Sequence, residues 1–301
     1  MEGKERDAAR PRLGALIDAA GAPAMVAKLL PLGFEGFQLS FWESVGDIDL
    51  GKLAEDLAAA LEGTKAVVTS LGVYGNSLGP EGRTLASIGS LIEAASRFGA
   101  GIVSCFAGRK PGASVPDSLG AWKEAFGPLA DLAAAGGLTL ALENCRLGDT
   151  WKSGKWNIAI NPDAWELLFA ALPGAPIGLE WEPCHQVLAF ADTLVQLEAW
   201  AEKVVHVHGK DAALDRGALA LRGAYGSTKV GRETLPGQGD SDWRELIAIL
   251  LRSGYSGCID IEMPADSEYR KGREVEGFSA ALGALADARS GALADARRGA
   301  L

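Results

Sequence analysis

Three histidines occur in 301 residues, and each stands beside carboxylates after an apolar, β-like run. His185 closes Ile177-Gly-Leu-Glu-Trp-Glu-Pro-Cys-His185, and His206 and His208 sit in Val204-Val-His-Val-His-Gly-Lys-Asp211. Glu143 ends Leu138-Thr-Leu-Ala-Leu-Glu143, Glu182 follows Ile177–Trp181, and Glu262 ends Cys258-Ile-Asp-Ile-Glu262. Imidazole is both the commonest nitrogen ligand for metals and the near-neutral acid/base. Carboxylates with one imidazole suit a hard divalent cation, so Mn²⁺ is the first choice, with Mg²⁺, Co²⁺ or Zn²⁺ as alternatives. A carboxylate finishing an apolar strand is costly to bury unless it is paired or binds a cation. Each alone reads equally well as a salt-bridged rim residue. Together, Glu143, Glu182, His208 and Glu262 read as one metal site.

The elements that must position these residues are short apolar runs alternating with Ala/Leu-rich segments of helical period, the pattern of a parallel sheet. Strands are expected at Leu13–Ile17, Gly36–Phe41, Ala66–Val73, Gly101–Phe106, Thr139–Asn144, Ile177–Glu182, Val204–His208 and Cys258–Met263. Helices are expected at Pro23–Leu30, Leu50–Leu61, Gly82–Phe98, Trp122–Ala135, Pro162–Ala171, Phe190–Ala201 and Asp242–Ser253. Eight such units imply a single α/β domain, a (β/α)₈ TIM barrel over 13–282, with the site at the strands' carboxyl ends. A charged tail over 1–12 precedes it. The Gly-Ala-Leu-Ala-Asp-Ala-Arg repeat in 283–301 reads as a low-complexity helical or frayed tail. Period-2 alternation places Glu180, His206 and Asp260 one layer beneath Glu182, His208 and Glu262, where they orient ligands or satisfy one another as buried pairs. Two segments break the rhythm. Arg146–Asn157 is too long and polar for an ordinary turn and reads as a mobile substrate cover, while Ala212–Gly239 separates the seventh strand from the next helix.

At 48% hydrophobic residues the chain can bury a large core. A formal net charge of -10 argues against a nucleic-acid surface, which needs clustered Lys and Arg. Cys105, Cys145, Cys184 and Cys258 are scattered without a C-x-x-C pair and read as reduced, buried thiols. The N-terminus lacks a signal-type apolar region, and Asp18 and Lys28 interrupt the stretch after it, so a cytoplasmic protein without a membrane partner is expected. The sequence leaves homo-oligomerisation open.

Leu142-Glu-Asn144, Gly-Leu-x-x-Glu-Pro-x-His at 178–185, His-x-His-x-Lys-Asp at 206–211, Gly-Gln-Gly-Asp-x-Asp-Trp at 237–243 and Gly-Tyr-x-Gly-x-Ile-x-Ile-Glu at 254–262 occur in this order. In these motifs the chain resembles the sugar phosphate isomerase/epimerase group of the xylose isomerase-like TIM barrels. The resemblance implies one divalent cation held by Glu143, Glu182, His208 and Glu262, with Glu143 and Glu262 also serving as acid and base on a carbohydrate. It implies an isomerase or epimerase that removes a proton beside a metal-bound carbonyl, giving an enediolate. Glu182 departs from the group, which usually carries Asp there, so the longer arm bears on the reaction. Loss of a β-substituent through the same residues would instead make a lyase or hydratase of an oxidised sugar, such as a 3-keto-glycoside or keto-inositol. The superfamily's DNA-repair branch is excluded by three histidines and the acidic charge; a binding barrel with an idle ligand set remains as a non-enzymatic alternative. From the residues themselves, His185 lies above the ligands, placed to bind a hydroxyl or carry a proton. Lys210, Arg232 and Asp149 are candidates to anchor polar substrate groups. Trp156 and Trp181, with Trp42 and Trp151, are candidates to stack on a sugar face.

Overall fold

The computed structural model describes residues 10–224, 226–270 and 272–299. Eight parallel strands close into a barrel: β1 (Arg12–Asp18), β2 (Gly36–Trp42), β3 (Val67–Tyr74), β4 (Ile102–Cys105), β5 (Thr139–Glu143), β6 (Ile177–Trp181), β7 (Val204–Gly209) and, after a small ribbon, β10 (Cys258–Ile261). The ribbon is the antiparallel pair β8 (Asp211–Leu214) and β9 (Gly231–Thr234), so β7 pairs with β10 and β10 closes on β1. All eight expected strands are therefore barrel strands, displaced by one or two residues at their ends. The ribbon is new relative to the sequence reading, which took Ala212–Gly239 as a break.

The helices α1 (Ala22–Leu29), α2 (Leu50–Leu61), α3 (Arg83–Phe98), α4 (Val115–Ala135), α5 (Pro162–Ala171), α6 (Pro183–Val187), α7 (Thr193–Trp200), α8 (Arg216–Arg222), α9 (Trp243–Arg252) and α10 (Glu274–Arg297) follow in order. Several start where a side-chain oxygen takes an otherwise orphaned N–H: Asp49 accepts from Lys52, Asn161 from Ala164 and Asp242 from Glu245. Ser114 caps α4 in the same way, receiving the Asp117 N–H, and Pro116 fits the first turn. That signal starts α4 seven residues before the Trp122 expected from periodicity alone. Asp192 likewise moves the start of α7 to Thr193, past the left-handed Phe190.

Two boundaries differ from the expectation. Arg12 already belongs to β1, and residues 1–9 of the expected charged tail lie outside the described residues. The expected end of the barrel at 282 falls inside α10, which runs unbroken through the repeat. Leu285 and Ala292 are fully buried, and α10 packs mainly on α9 with further contacts to β1. The repeat is helical, and Leu285 and Ala292 give it a buried edge beside α9.

The main apolar core surrounds the barrel beneath the helices, whereas the barrel's interior is polar. Gln38, Ser70, Ser104, Glu180, His206 and Asp260 are buried there, joined by hydrogen bonds that cross it, such as Gln38 to Glu180 and Thr69 to Asp260. Gly14 makes this possible on β1, because a Cβ there would lie 1.8 Å from Asp260 Oδ1.

Candidate active site

Glu143, Glu182, His208 and Glu262 converge at the carboxyl end of the barrel, each offering one ligand atom, all within 4.8 Å of one another. They come from the ends of β5, β6, β7 and β10, which are adjacent around the barrel. Their positions follow from alternation along each strand. Glu180 and Glu182 turn inward, as do His206 and His208, so Trp181 must turn outward.

His208 occupies the middle of the arrangement. Its Nδ1 lies 3.1 Å from Glu143 Oε1 and 3.3 Å from Glu262 Oε2. On the other side, its Nε2 lies 2.8 Å from Gln38 Oε1 and 3.1 Å from Glu180 Oε1. A proton on Nε2 donated to Gln38 leaves Nδ1 facing the carboxylates as a ligand nitrogen. Gln38 also donates from Nε2 to Glu180 Oε1 at 2.7 Å, and Tyr74 donates to Glu180 Oε2 at 2.8 Å. Beneath them His206 Nε2 is 2.9 Å from Asp260 Oδ2 but 3.9 Å from Glu180. His206 thus pairs more closely with Asp260 than with Glu180, and Glu180 lies closer to His208.

The electrostatics follow from burial and crowding. Burial opposes ionisation of Glu180, but the two imidazoles outweigh it and pull its pKa down to about 2. Burial also disfavours a charged His208, yet Glu180 and Glu143 raise its pKa well above the usual imidazole value. Glu262 is drawn below the usual range because Lys210 and His208 overcome its desolvation. Glu182 goes the other way: burial dominates, Lys210 compensates only partly, and its pKa rises well above the carboxylate range. Burial, then Lys210, pushes His185 well down, so its imidazole is neutral.

Lys210 donates to Glu262 Oε1 at 2.8 Å and lies 3.0 Å from Glu182 Oε1 without directing a hydrogen bond at it. His185 Nε2 is 3.3 Å from Glu182 Oε2, again without a directed bond. Both Glu182 oxygens, Glu262 Oε2 and His185 Nε2 are therefore buried without a hydrogen-bond partner. Orphaned carboxyl oxygens are expensive in a native fold. Three of them facing one another beside an imidazole form a donor set that a divalent cation satisfies. The residues fit the expected ion.

A cavity of about 540 Å³ opens above the cluster, and Glu143, His185, His208, Lys210 and Glu262 line it. Glu182 lies just beneath that lining. Four other candidates are elsewhere. Trp181 is fully buried outside the barrel, donating from Nε1 to Gln196 at 3.1 Å. Asp149 is folded into its own loop, where its carboxylate receives the Lys155, Trp156 and Asn157 N–H groups. Gly154 leaves room for that carboxylate, since a Cβ there would lie 2.2 Å from Asp149 Cγ. Trp156 packs against Trp42, ring centroids 6.0 Å apart, and only Trp42 lines the cavity. Arg232 is exposed on β9 and borders a neighbouring recess, while its neighbour on the strand, Glu233, lines the cavity. The segment expected as a mobile cover is also pinned: buried Arg109 donates to Trp151 O, and Gly112 N–H to Gly154 O. Of that loop, Leu147 alone lines the cavity.

Gln38 and Tyr74, which hold His208 and Glu180, were not among the sequence candidates. Gln38 left a signal, an amide in the middle of an apolar strand. Tyr74, at the end of β3, left none.

A closed parallel barrel with carboxylates and an imidazole at its carboxyl mouth defines a class of barrel in which strand ends carry the chemistry. The model of the xylose isomerase-like TIM barrel family matches residues 26–287, and the chain belongs to that family. An inosose dehydratase from Bacillus licheniformis is 31% identical over 104 residues, 34% of this chain. The chain spans about a third of the length of the curated relatives it matches, 35% in this case. Among solved structures, an L-ribulose 3-epimerase aligns with a TM-score of 0.71 at 15% identity, covering 97% of this chain and 98% of its own. A 3-keto-D-glucoside 4-epimerase from E. coli aligns with a TM-score of 0.68 at 17% identity, over 93% and 100%.

Proposed function

We propose that the protein is a divalent-metal-dependent sugar isomerase or epimerase that works by carboxylate proton transfer next to a carbonyl. The observation that carries this reading is the convergence of Glu143, Glu182, His208 and Glu262, with three carboxylate oxygens among them lacking any hydrogen bond. These four residues would hold the ion, Mn²⁺ as first choice, and the ion would supply the charge that orients a carbonyl and hydroxyl oxygen and acidifies the C–H between them. Glu143 and Glu262 both lie beside His208 Nδ1 and line the cavity, so each can hold or return a proton at a substrate carbon bound there. Lys210 keeps Glu262 ionised and ready to accept. His185, neutral and lining the cavity, can accept a hydrogen bond from a substrate hydroxyl at its unpartnered Nε2.

The local similarity to an inosose dehydratase favours a second reading, in which proton removal is followed by loss of a β-hydroxyl. One experiment separates them. The Mn²⁺-loaded protein is incubated in D₂O with ketoses, inososes and 3-keto-glycosides. Deuterium incorporated into a substrate that keeps all its oxygens supports isomerisation or epimerisation, and an unsaturated product supports elimination. No exchange in any member, with metal bound, would overturn both.

A further inference from the structure

The cavity has a mixed lining. Besides the carboxylate–imidazole cluster at its floor, its lining includes the apolar side chains Leu16, Met25, Met263 and Phe278. At the lining Trp42 is 60% exposed and Leu147 42% exposed. Isolated apolar surface is ordinary, but here two large exposed side chains border one cavity whose lining holds those four apolar residues as well. At about 540 Å³ the space falls in the range that holds drug-sized ligands. It is larger than one sugar ring at the floor requires.

The charge of the lining restricts what fills it. Among the described residues it includes five carboxylates, Asp18, Glu143, Glu233, Glu262 and Glu274, and, besides the imidazoles of His185 and His208, two cations, Lys210 and Arg270. Lys210 is held between Glu182 and Glu262. Arg270 is turned to the backbone, donating to Pro264 O at 3.0 Å and Met263 O at 2.5 Å. A phosphate needs cations or N–H groups directed at it, and both lining cations are already engaged.

We propose that the substrate is an unphosphorylated keto-sugar carrying an apolar substituent, of the aryl keto-glycoside class. The sugar meets the floor, and the aryl group lies against Trp42, Leu147 and the apolar side chains of the lining. This rests on the reading of the floor as a sugar-processing site, and deepens it by naming the substrate class.

The test is calorimetric binding to the Mn²⁺-loaded, full-length protein. The probes are the 4-nitrophenyl and methyl glycosides of glucose, galactose and mannose, with the corresponding hexose 6-phosphates. At least one 4-nitrophenyl glycoside is expected to bind about tenfold more tightly than its methyl partner, the scale of one buried aromatic contact. In Trp42→Ala that ratio is expected to fall most of the way to one. Equal binding of aryl and methyl glycosides, tighter binding of a phosphate, an unchanged ratio in Trp42→Ala, or no binding by any probe would each overturn the proposal. Metal content and deuterium exchange are read on the same preparation. An aryl preference without exchange removes the sugar chemistry while supporting the apolar subsite; exchange with a phosphate preference does the reverse.

Discussion

Glu262 combines a hydrogen bond from Lys210 with one oxygen left unpartnered toward the cluster, the combination a proton-accepting ligand needs. Glu262→Gln keeps the shape but cannot take a proton, so turnover is expected to fall by at least about 100-fold, with weaker Mn²⁺ binding and unchanged far-UV circular dichroism. Activity near wild type with metal bound would remove Glu262 from the mechanism. Gln38 acts through others: its carbonyl faces both His206 and His208. Gln38→Leu should lower Mn²⁺ affinity by about 10- to 100-fold through loss of that support, seen by titration with the metal alone. Affinity within about twofold would mean that His208 needs no such acceptor. The cluster of Glu143, Glu182, His208 and Glu262 was legible in sequence because acids ending apolar strands are out of place unless they have a task. Gln38 was missed, since an amide in an apolar strand marks a polar position but not the two imidazoles it meets across the barrel. Trp181 could have been excluded from the sequence alone, because Glu180 and Glu182 on either side both face inward.

The elements show where periodicity suffices and where a single side chain overrides it. Strand positions were readable from apolar runs, and α4 and α7 were misplaced at their starts because Ser114 and Asp192 set them. Arg146–Asn157 looked mobile from its polarity and glycines, but buried Asp149 takes three of its backbone N–H groups and buried Arg109 donates to Trp151 O. Trp156→Ala is therefore expected to act through Trp42, raising KM by a few-fold, in keeping with one lost aromatic pair, with kcat and Mn²⁺ affinity little changed. An unchanged KM would detach this loop from substrate binding. Helix α10 is tied to the far end of the barrel by Arg289, which donates to Glu35 Oε2 at 2.5 Å and to Pro11 O at 2.9 Å. Burial would raise the Glu35 pKa, but Arg289, Leu13 N–H and Arg10 outweigh it and lower it. A carboxylate held lower in the folded state adds stability above its unfolded pKa and loses it as pH falls through the folded value. Arg289→Ala should cost about 1 kcal/mol near neutrality, as for a partly exposed pair, and the gap in Tm from wild type should narrow on acidification below pH about 4. A gap that holds constant with pH would assign the loss to packing instead.

At the scale of the whole molecule, site and fold are closed by the same strand. The barrel is complete only when β10 pairs with β7 on one side and β1 on the other, Arg12 opposite Cys258. A cation bound to all four ligands favours the closed state alone, so saturating Mn²⁺ at about 100 times its Kd should add about 2.7 kcal/mol. Chelation should lower Tm accordingly; a Tm indifferent to chelator would mean that the cluster holds no ion. The same seam has a consequence for the order in which a ribosome delivers the chain. Glu262 follows the final strand, so every shorter nascent chain has at most three of the four ligands and unpaired edges on β1 and β7. Such edges are sticky, and joining the chain's two ends carries the loop-closure entropy of nearly its whole length. Were a cation bound, its fourth ligand would thus arrive only with the last strand of the barrel, and binding would favour the closed ring over any shorter chain.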